Sequence, residues 1–378
     1  MSKEKKAENI ILIAFAVLIC ALSLIWFPLQ NVLDNENYEN RDLAVRPELT
    51  LDNYGTFSGD YDKFFNDHIP FRNYLMTLNN GLDFYVFRRS NSPNVIIGKS
   101  GWLFYDTTDA DKAGGLGDPI ANYKGTNLYT DEELRHMAAN LEDLARFMND
   151  QGKEFILFIA PDKERIYSEY MPDVYGKPAE MYRTLQVVEY LRANTGIRVV
   201  YPYEDMMEAR EHLDMDIYHY TDTHWNLIGG YVGARALLRE LGIAIPAPWE
   251  EGMTIERIGD HQGDLADMLH LSVFLKSGDP EYEVKGYDEH NINNYSDDFY
   301  GEIDFTAENA DPRSIYIYRD SFTTNMAPYI GANFSKTVCR HRFSYVYGSL
   351  EYEDPDIFVY ETVERYLDDA RTFSVFDN

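Results

Sequence analysis

Residues 154–160 read Glu-Phe-Ile-Leu-Phe-Ile-Ala, a short apolar run that ends at Pro161-Asp162-Lys163-Glu164. A run of this length and composition predicts a buried strand with polar residues at its carboxyl edge. Upstream, residues 130–133 read Thr-Asp-Glu-Glu and match a helix capping box, and apolar residues then recur at helical spacing until Gly152. The stretch therefore predicts a helix followed by a buried strand.

The same alternation of helix and strand continues along the chain. Further helices are predicted at 179–193, 205–212 and 227–241, with strands at 197–201, 314–318, 336–339 and 356–360, the last of which enters a helix at Glu361. Residues 94–106 place two β-prone runs around a Gly-Lys-Ser-Gly turn, which predicts a hairpin at the start of the main domain. Strands that alternate with helices indicate an α/β domain with a parallel sheet covered on both faces.

Charge and composition exclude several classes of partner. With 34 basic and 64 acidic residues among 378, the net charge of −30 repels phosphate backbones, so nucleic acid is not expected as a partner. Strongly anionic polymers are disfavoured for the same reason, and a neutral or weakly charged substrate fits better. Cys20 and Cys339 are the only cysteines, so no intrachain disulfide framework is expected.

The N-terminal segment predicts a single membrane span. Residues 10–29 carry no charge and are long enough to cross a hydrocarbon core as a helix. Lysines precede this stretch and acidic residues follow it, so residues 1–9 are expected to be cytoplasmic. We therefore expect a transmembrane anchor at 10–29, an extracytoplasmic stalk and docking helix at 30–90, and the main domain at 91–378. A cleaved signal peptide is the alternative, but no small-residue cleavage pattern follows the run.

Two short motifs carry the residues of a serine acyl-transfer site. Residues 220–226 read Tyr-Thr-Asp-Thr-His-Trp-Asn, and residues 319–322 read Arg-Asp-Ser-Phe directly after a predicted strand. A serine hydroxyl needs an imidazole to take its proton and a carboxylate to hold the imidazole in the correct tautomer. Ser321, His224 and Asp222 supply these three roles. The two-residue spacing of Asp222 and His224 is compatible both with a direct hydrogen bond between them and with its absence.

Neighbouring residues are candidates for holding a developing oxyanion or the substrate. Backbone N–H groups that enter the helix after Ser321 are one source of donors, and Arg319 and Asn325 are further candidates. Trp225 is either a core ring or a wall of the cleft. Each residue alone also has a structural interpretation, since Asp-Ser after a strand is often a helix cap. The pairs at 162–163 and 263–265 are interpreted as structural loop residues.

A metal centre is the competing interpretation of the same region. His219, Asp222 and His224 resemble a zinc cluster that would activate a water molecule. No further ligand pair of the H-x-x-E-H or C-x-x-C kind accompanies them in the sequence. We therefore predict a site without metal and without cofactor.

Several ordered motifs together resemble a known family. They are residues 66–72 (Asn-Asp-His-Ile-Pro-Phe-Arg), 98–105, 160–163 (Ala-Pro-Asp-Lys), 221–225 (Thr-Asp-Thr-His-Trp), 319–322 and 355–365. At these residues the chain resembles the SGNH-hydrolase-like proteins of the alginate O-acetyltransferase type, including the related Asp-His-His-Trp (DHHW) family. Arg319 stands where a glycine often precedes the Asp-Ser pair, and Thr223 replaces the second His of the DHHW pattern.

The resemblance implies a fold, a site and a partner. It implies a flavodoxin-like α/β domain in which Asp222, His224 and Ser321 form the catalytic set. It further implies O-acetylation of an extracellular polysaccharide, with the acyl group delivered by a membrane-bound O-acyltransferase. An O-acetyl esterase uses identical residues and is the second hypothesis. A non-catalytic scaffold that binds polymer through aromatic residues is the third.

Overall fold

A computed structural model describes residues 3–29, 42–107, 115–275, 278–290, 292–297 and 301–375. The chain divides into two structural units. The first comprises residues 1–91 with 267–271, and the second comprises residues 92–266 with 272–378.

The described part of the first unit is mainly helical. Lys3–Leu29 forms helix α1, Phe57–Asp67 forms α2 and Arg72–Leu82 forms α3, which runs into a π-helical turn at Asp83–Phe87. Within the residues that the structure describes, no helix combines the length and the apolar character that a bilayer crossing needs. The membrane anchor predicted at 10–29 is therefore not shown and stays a prediction. Part of the predicted stalk, residues 30–41, lies outside the described residues.

The remaining elements follow in chain order. The strands of the described residues are β1 (Val95–Ile97), β2 (Leu103–Tyr105), β3 (Glu154–Ala160), β4 (Arg198–Val200), β5 (Thr254–Asp260), β6 (Pro280–Lys285), β7 (Ile292–Asp297), β8 (Glu302–Ala307), β9 (Asp311–Arg319), β10 (Phe334–His341) and β11 (Ile357–Val363). The remaining α-helices there are α4 (Pro119–Tyr123), α5 (Asp131–Asn149), α6 (Lys163–Ile166), α7 (Arg183–Asn194), α8 (Tyr203–His212), α9 (Leu227–Glu240), α10 (Asp264–Met268), α11 (Ser272–Leu275), α12 (Thr323–Gly331) and α13 (Ser349–Glu353).

A seven-stranded sheet in the order β4-β3-β11-β9-β10-β8-β7 forms the centre of the second unit. The first five of these strands are parallel, whereas β8 and β7 pair antiparallel at one edge. The α/β prediction is confirmed, and the predicted parallel sheet is corrected to a mixed one with two antiparallel pairings at one edge. Counted along the chain, the parallel strands lie in the order 2-1-5-3-4, whereas a flavodoxin sheet has the order 2-1-3-4-5. The last strand, β11, is buried along its whole length, and this burial suits its central place.

The alternation of side chains along β3 shows how both sheet faces are covered. Phe155, Leu157 and Ile159 belong to an apolar cluster that includes residues of α5 and α7. Ile156 and Phe158 belong to the opposite cluster, which includes residues of α9 and α12. Because successive side chains of a strand point to opposite faces, a strand between two helical layers is apolar throughout. The prediction of a buried strand at 154–160 is confirmed.

Local signals at the start of helix α5 and in the first hairpin also agree with the structure. Thr130 Oγ1 accepts from Glu133 N at 3.3 Å, and Thr130 N donates to Glu133 Oε2 at 2.8 Å, so the capping box is formed. Such a cap stabilises a helix by about 1 kcal/mol. Strands β1 and β2 pair antiparallel, with Val95 opposite Tyr105. Gly101 in their turn has φ of 89°, a conformation that glycine adopts without strain.

One prediction about an element is wrong, and one strand pair has no counterpart among the predictions. Glu361 does not start a helix, because β11 continues to Val363 and a 3-10 helix follows at Glu364–Arg371. The antiparallel pair β5–β6 was not predicted at all. Strand β5 is largely exposed, so it lacks the alternation of apolar and polar residues that marks a half-buried strand.

Candidate active site

Ser321 lies in the turn that joins β9 to helix α12, at the carboxyl edge of the parallel strands. Asp320 holds this turn with both carboxylate oxygens. Its Oδ1 accepts from Phe322 N at 2.9 Å, and its Oδ2 accepts from Val363 N at 2.7 Å. Glu361 Oε2 in turn accepts from Asp320 N at 2.9 Å. The turn is thereby fastened to the end of β11, while Ser321 itself stays half-exposed.

Asp222 and His224 lie on a bent loop that precedes helix α9. Residues 217–226 fold back on themselves through a bridge between Tyr218 and Trp225, and Asn226 N donates to Ile217 O at 3.1 Å. Asn226 Oδ1 then caps helix α9 by accepting from the backbone N–H groups of residues 228 and 229. The loop is closed at its base and ordered by the helix that follows it.

The three predicted catalytic residues form a continuous hydrogen-bonded chain. His224 Nε2 lies 2.6 Å from Ser321 Oγ, and His224 Nδ1 lies 2.6 Å from Asp222 Oδ1. The imidazole ring is 4.9 Å from the ring of Phe322, so the residue after the serine supports the base. A hydroxyl, an imidazole and a carboxylate in this order have the geometry of an activated nucleophile. The bond between Asp222 and His224 that the spacing left open is present.

The Asp222 carboxylate accepts four hydrogen bonds. Oδ1 accepts from His224 N at 2.9 Å as well as from the imidazole, and Oδ2 accepts from His261 Nε2 at 2.8 Å and from Asp264 N at 3.0 Å. Burial would raise the pKa of Asp222, but the charges and hydrogen bonds of His224 and His261 lower it well below its ordinary value. Asp222 is therefore an ionised acceptor that is fixed on every side.

His261 and Asp264 were not predicted as site residues. Asp264 accepts from Thr223 N at 2.8 Å and from Thr223 Oγ1 at 2.7 Å, so it holds the residue between Asp222 and His224. The Gly-Asp-Leu at 263–265, interpreted from the sequence as structural loop residues, thus supports the site through Asp264. No local signal marks it, because these contacts join residues about 40 positions apart.

Lys163 connects the Asp222 loop to the end of β3. Its buried ammonium donates to His219 O at 3.1 Å and also to the carbonyl of Asp222. Burial lowers the pKa of Lys163 to about 8, an effect that the nearby Glu164 and Asp222 charges oppose. The neighbouring Asp162 forms a buried ion pair with Arg365 at 2.7 Å. The pair Asp162-Lys163 therefore supports the site, in line with its interpretation from the sequence as structural loop residues.

Gly263 provides a test of this support. A Cβ at position 263 would lie 2.1 Å from Thr221 O, a backbone atom of the loop that carries Asp222. We expect Gly263→Ala to displace the loop, to destabilise the protein by about 2 kcal/mol and to slow labelling of Ser321 by a fluorophosphonate probe about tenfold or more. Gly259→Ala is the matched control, since a Cβ there meets no atom within 4 Å. Equal labelling rates in the two variants would contradict the expectation.

The predicted substrate and oxyanion candidates need correction. Trp225 is fully buried with its Nε1 donating to Phe322 O at 2.9 Å, so it is a core ring and not a cleft wall. Arg319 is also fully buried, and its Nη1 donates to Asp320 O and to Thr324 Oγ1, both at 3.2 Å. Asn325 Nδ2 donates to Trp225 O at 2.8 Å. These three side chains hold the loop and the turn together.

The alternative metal cluster of His219, Asp222 and His224 is not assembled as one group. His219 lies with His261 and Glu281, whereas Asp222 and His224 lie with Asp264. The rings of His219 and His261 stack with their centroids 3.7 Å apart and an angle of 13° between their planes, so their in-plane lone pairs do not converge on one ion at about 2 Å. Both nitrogens of His224 already serve other residues of the hydrogen-bonded chain. Among the residues described, the geometry fits an ion-pair network better than a metal site.

Comparison with known proteins identifies similar sequences. The family model for the SGNH hydrolase-like domain of the acetyltransferase AlgX matches residues 95–299, a segment that contains Asp222 and His224 and ends before Ser321. A probable alginate O-acetylase AlgJ of Pseudomonas syringae pv. tomato is 27% identical over 236 residues, which are 61% of this chain and 54% of that protein. The chain thus spans about half the length of the curated relatives it matches.

Solved structures show the same fold. Bacillus cereus PatB1 superposes with a TM-score of 0.53 at 16% identity, over 74% of this chain and 99% of PatB1. A DHHW family protein from Eubacterium siraeum gives a TM-score of 0.50 at 15% identity, over 76% of this chain and all of that one. With the family model matching more than half of the residues, the chain belongs to the family of the SGNH hydrolase-like domain of the acetyltransferase AlgX.

Proposed function

We propose that this protein is an O-acetyltransferase that moves an acetyl group through an acyl-enzyme on Ser321 to hydroxyl groups of a polysaccharide. The observation that carries the proposal is the chain of two 2.6 Å contacts from Asp222 through His224 to Ser321. Only the Ser321 end of this hydrogen-bonded series is accessible to solvent. Asp222 at the other end is buried, while Ser321 is half-exposed. Such an arrangement directs reactivity to the hydroxyl.

The reaction has two balanced halves. In the first, Ser321 Oγ attacks the acetyl carbonyl of a donor, its proton passes to His224 Nε2, and the leaving group of the donor departs with that proton. In the second, a sugar hydroxyl attacks the acetyl ester and gives its proton to His224 Nε2, and Ser321 Oγ takes that proton back. Asp222 stays ionised and stabilises the imidazolium in both halves.

The turn at Ser321 also limits which groups can stabilise the oxyanion. The Phe322 amide is used by Asp320 Oδ1, and the Arg319 guanidinium is directed to Asp320 O and Thr324 Oγ1. In the described part of the chain, no acceptor is found for the Ser321 N–H. We assign that amide as one oxyanion donor.

The acceptor, donor and location are parts of the same proposal. The relatives named alginate O-acetylase support a polysaccharide acceptor, and the net charge of −30 favours a neutral or weakly charged one. We propose a membrane-bound O-acyltransferase as the source of acetyl groups. The uncharged run at 10–29, with lysines before it and acidic residues after it, supports a single-pass anchor and an extracytoplasmic domain from about residue 91.

An acetyl-transfer assay separates the transferase from its alternatives. The purified chain is incubated with an activated acetyl ester, with and without a neutral oligosaccharide. We expect acetylated oligosaccharide and, without the acceptor, a mass increase of about 42 Da on the peptide that contains Ser321. Release of acetate without any acetylated sugar would favour the esterase. Absence of the mass increase and of any turnover would favour a scaffold.

A further inference from the structure

A pair of stacked imidazoles lies beside the Asp222 carboxylate. The rings of His219 and His261 have centroids 3.7 Å apart and an angle of 13° between their planes. His261 Nε2 lies 2.8 Å from Asp222 Oδ2, and its Nδ1 lies 3.4 Å from Glu281 Oε2. His219 Nδ1 lies 3.2 Å from Asp279 Oδ1, and its Nε2 lies 3.4 Å from Glu281 Oε2. Two imidazoles are thus surrounded by three carboxylates.

The antiparallel pair β5–β6 holds His261 in this position. His261 N donates to Asp279 O at 2.7 Å, which extends the pairing of the two strands by one residue. The Asp279 carboxylate accepts from Tyr220 N at 3.1 Å and from Thr221 N at 2.8 Å. The strand pair is therefore fastened to the loop that carries Asp222, and the backbone of His261 is fixed relative to that loop.

The contacts of His261 define its protonation state. An ionised carboxylate only accepts hydrogen bonds, so a ring with a carboxylate at each nitrogen donates from both and is an imidazolium. Burial opposes this charge, but the contacts with Asp222 and Glu281 outweigh burial and raise the pKa of His261 to about 10. Burial also opposes the charge of Glu281, but His219 and His261 lower the pKa of Glu281 to about 2. His261 is therefore positively charged through the neutral range.

His261 differs from the backbone groups that also donate to Asp222. Asp264 N and His224 N are backbone donors that carry no charge, and they remain when a side chain is replaced. Other charged groups near Asp222 include the Asp264 carboxylate and Lys163, which contacts the Asp222 carbonyl. Replacing His261 therefore removes one hydrogen bond and one positive charge, while much of the orientation of the carboxylate is kept.

We propose that His261 is a positioning residue of the Ser321 site, whose imidazolium holds Asp222 Oδ2 and by its charge opposes protonation of His224. The inference rests on the proposed function, because it concerns the base of that reaction. A positive charge on the far side of Asp222 offsets part of the attraction between the carboxylate and a protonated His224. The base then stays unprotonated, and the site stays active, at a lower pH than it would without His261.

The test is the pH profile of kcat/KM for acetyl transfer by the full chain between pH 5 and 9. We expect His261→Gln to move the acid limb upward by about one pH unit, because the lost charge favours protonated His224. On the alkaline plateau we expect a change of less than about threefold, because the backbone donors to Asp222 remain. Glu281→Gln removes a negative charge while His261 keeps its contact with Asp222, so it should not move the limb upward. His136→Gln, at an exposed position of helix α5, is the matched control.

An acid limb that does not move, or a loss of activity that is equal at every pH, would overturn the inference. Ser321→Ala separates this failure from failure of the proposed function, since a fully active Ser321→Ala variant would reject the function itself. If the His261 and Glu281 variants do not fold, ring-proton NMR of the unmodified protein decides. The His261 ring should be protonated at pH 8, and a neutral ring there would overturn the inference.

Stability gives an independent measurement on the same variant. The pKa of His261 is raised from an ordinary value of 6.5 to about 10, so its contribution to stability is complete below pH 6.5 and is lost as pH rises towards 10. The difference in free energy of unfolding between the unmodified protein and His261→Gln should therefore narrow between pH 6.5 and 10. A constant difference over that range would show that His261 is not charged in the folded state.

Discussion

Replacing Ser321 by alanine is expected to reduce acetyl transfer by about 10⁴-fold or more and to eliminate the acetyl-enzyme. The hydroxyl that would form the ester is lost, and His224 Nε2 loses its 2.6 Å partner. Folding should be preserved, because the turn is held by the carboxylates of Asp320 and Glu361 and not by the Ser321 side chain. Rates of oligosaccharide acetylation and the mass of the chain after exposure to the acetyl donor measure the effect.

Ser335→Ala is a suitable control for this substitution. Ser335 lies on β10 of the same sheet, and its Oγ donates to Pro312 O at 2.8 Å, so the change removes a comparable hydroxyl away from the proposed site. Its activity should stay within about twofold of the unmodified protein. A Ser321→Ala variant that acetylated the polymer at the unmodified rate would reject the acyl-enzyme and would favour the scaffold hypothesis.

The sequence predicts the central elements of the second unit because their signals are local. A strand between two helical layers is apolar at every position, and β3 shows this within seven residues. The capping box at Thr130 marks the start of helix α5 in the same way. Asp222, His224 and Ser321 are predicted from the sequence because the three residue types together define one chemistry.

Features that depend on distant pairing were not predicted. The central position of β11 follows from its burial on both faces, but an apolar run does not state which strands it will pair with. The bent loop at 217–226 depends on Lys163, Asp264 and Asp279, which bind its backbone from elsewhere in the chain. His261 follows an exposed strand, so no apolar pattern marks the segment that brings it to Asp222. The support of the site therefore comes from tertiary contacts, while the proposed catalytic residues lie in short sequence motifs.

Asp222→Asn should have the second large effect, a decrease in kcat/KM of about 10³-fold to 10⁴-fold with little change in fold. The carboxylate receives four donors, including the imidazoles of His224 and His261. An amide has a single acceptor oxygen, so its NH₂ group must face donors on one side. If the oxygen faces His261, the amide donates towards His224 Nδ1. The ring proton of His224 then lies on Nε2, and this nitrogen cannot accept the proton of Ser321. If the oxygen faces His224, the imidazolium of His261 faces an NH₂ group instead.

Either orientation removes the negative charge that stabilises a protonated His224, so the loss should persist at every pH. This separates Asp222→Asn from His261→Gln, whose effect is confined to the acid limb. Asp260→Asn is the control, since Asp260 pairs with Arg257 on the exposed strand next to the site. The kcat/KM of the three variants, measured from pH 5 to 9, tests whether one carboxylate orients the base. If Asp222→Asn kept more than about a tenth of the activity, another group would have to hold His224 in its reactive tautomer.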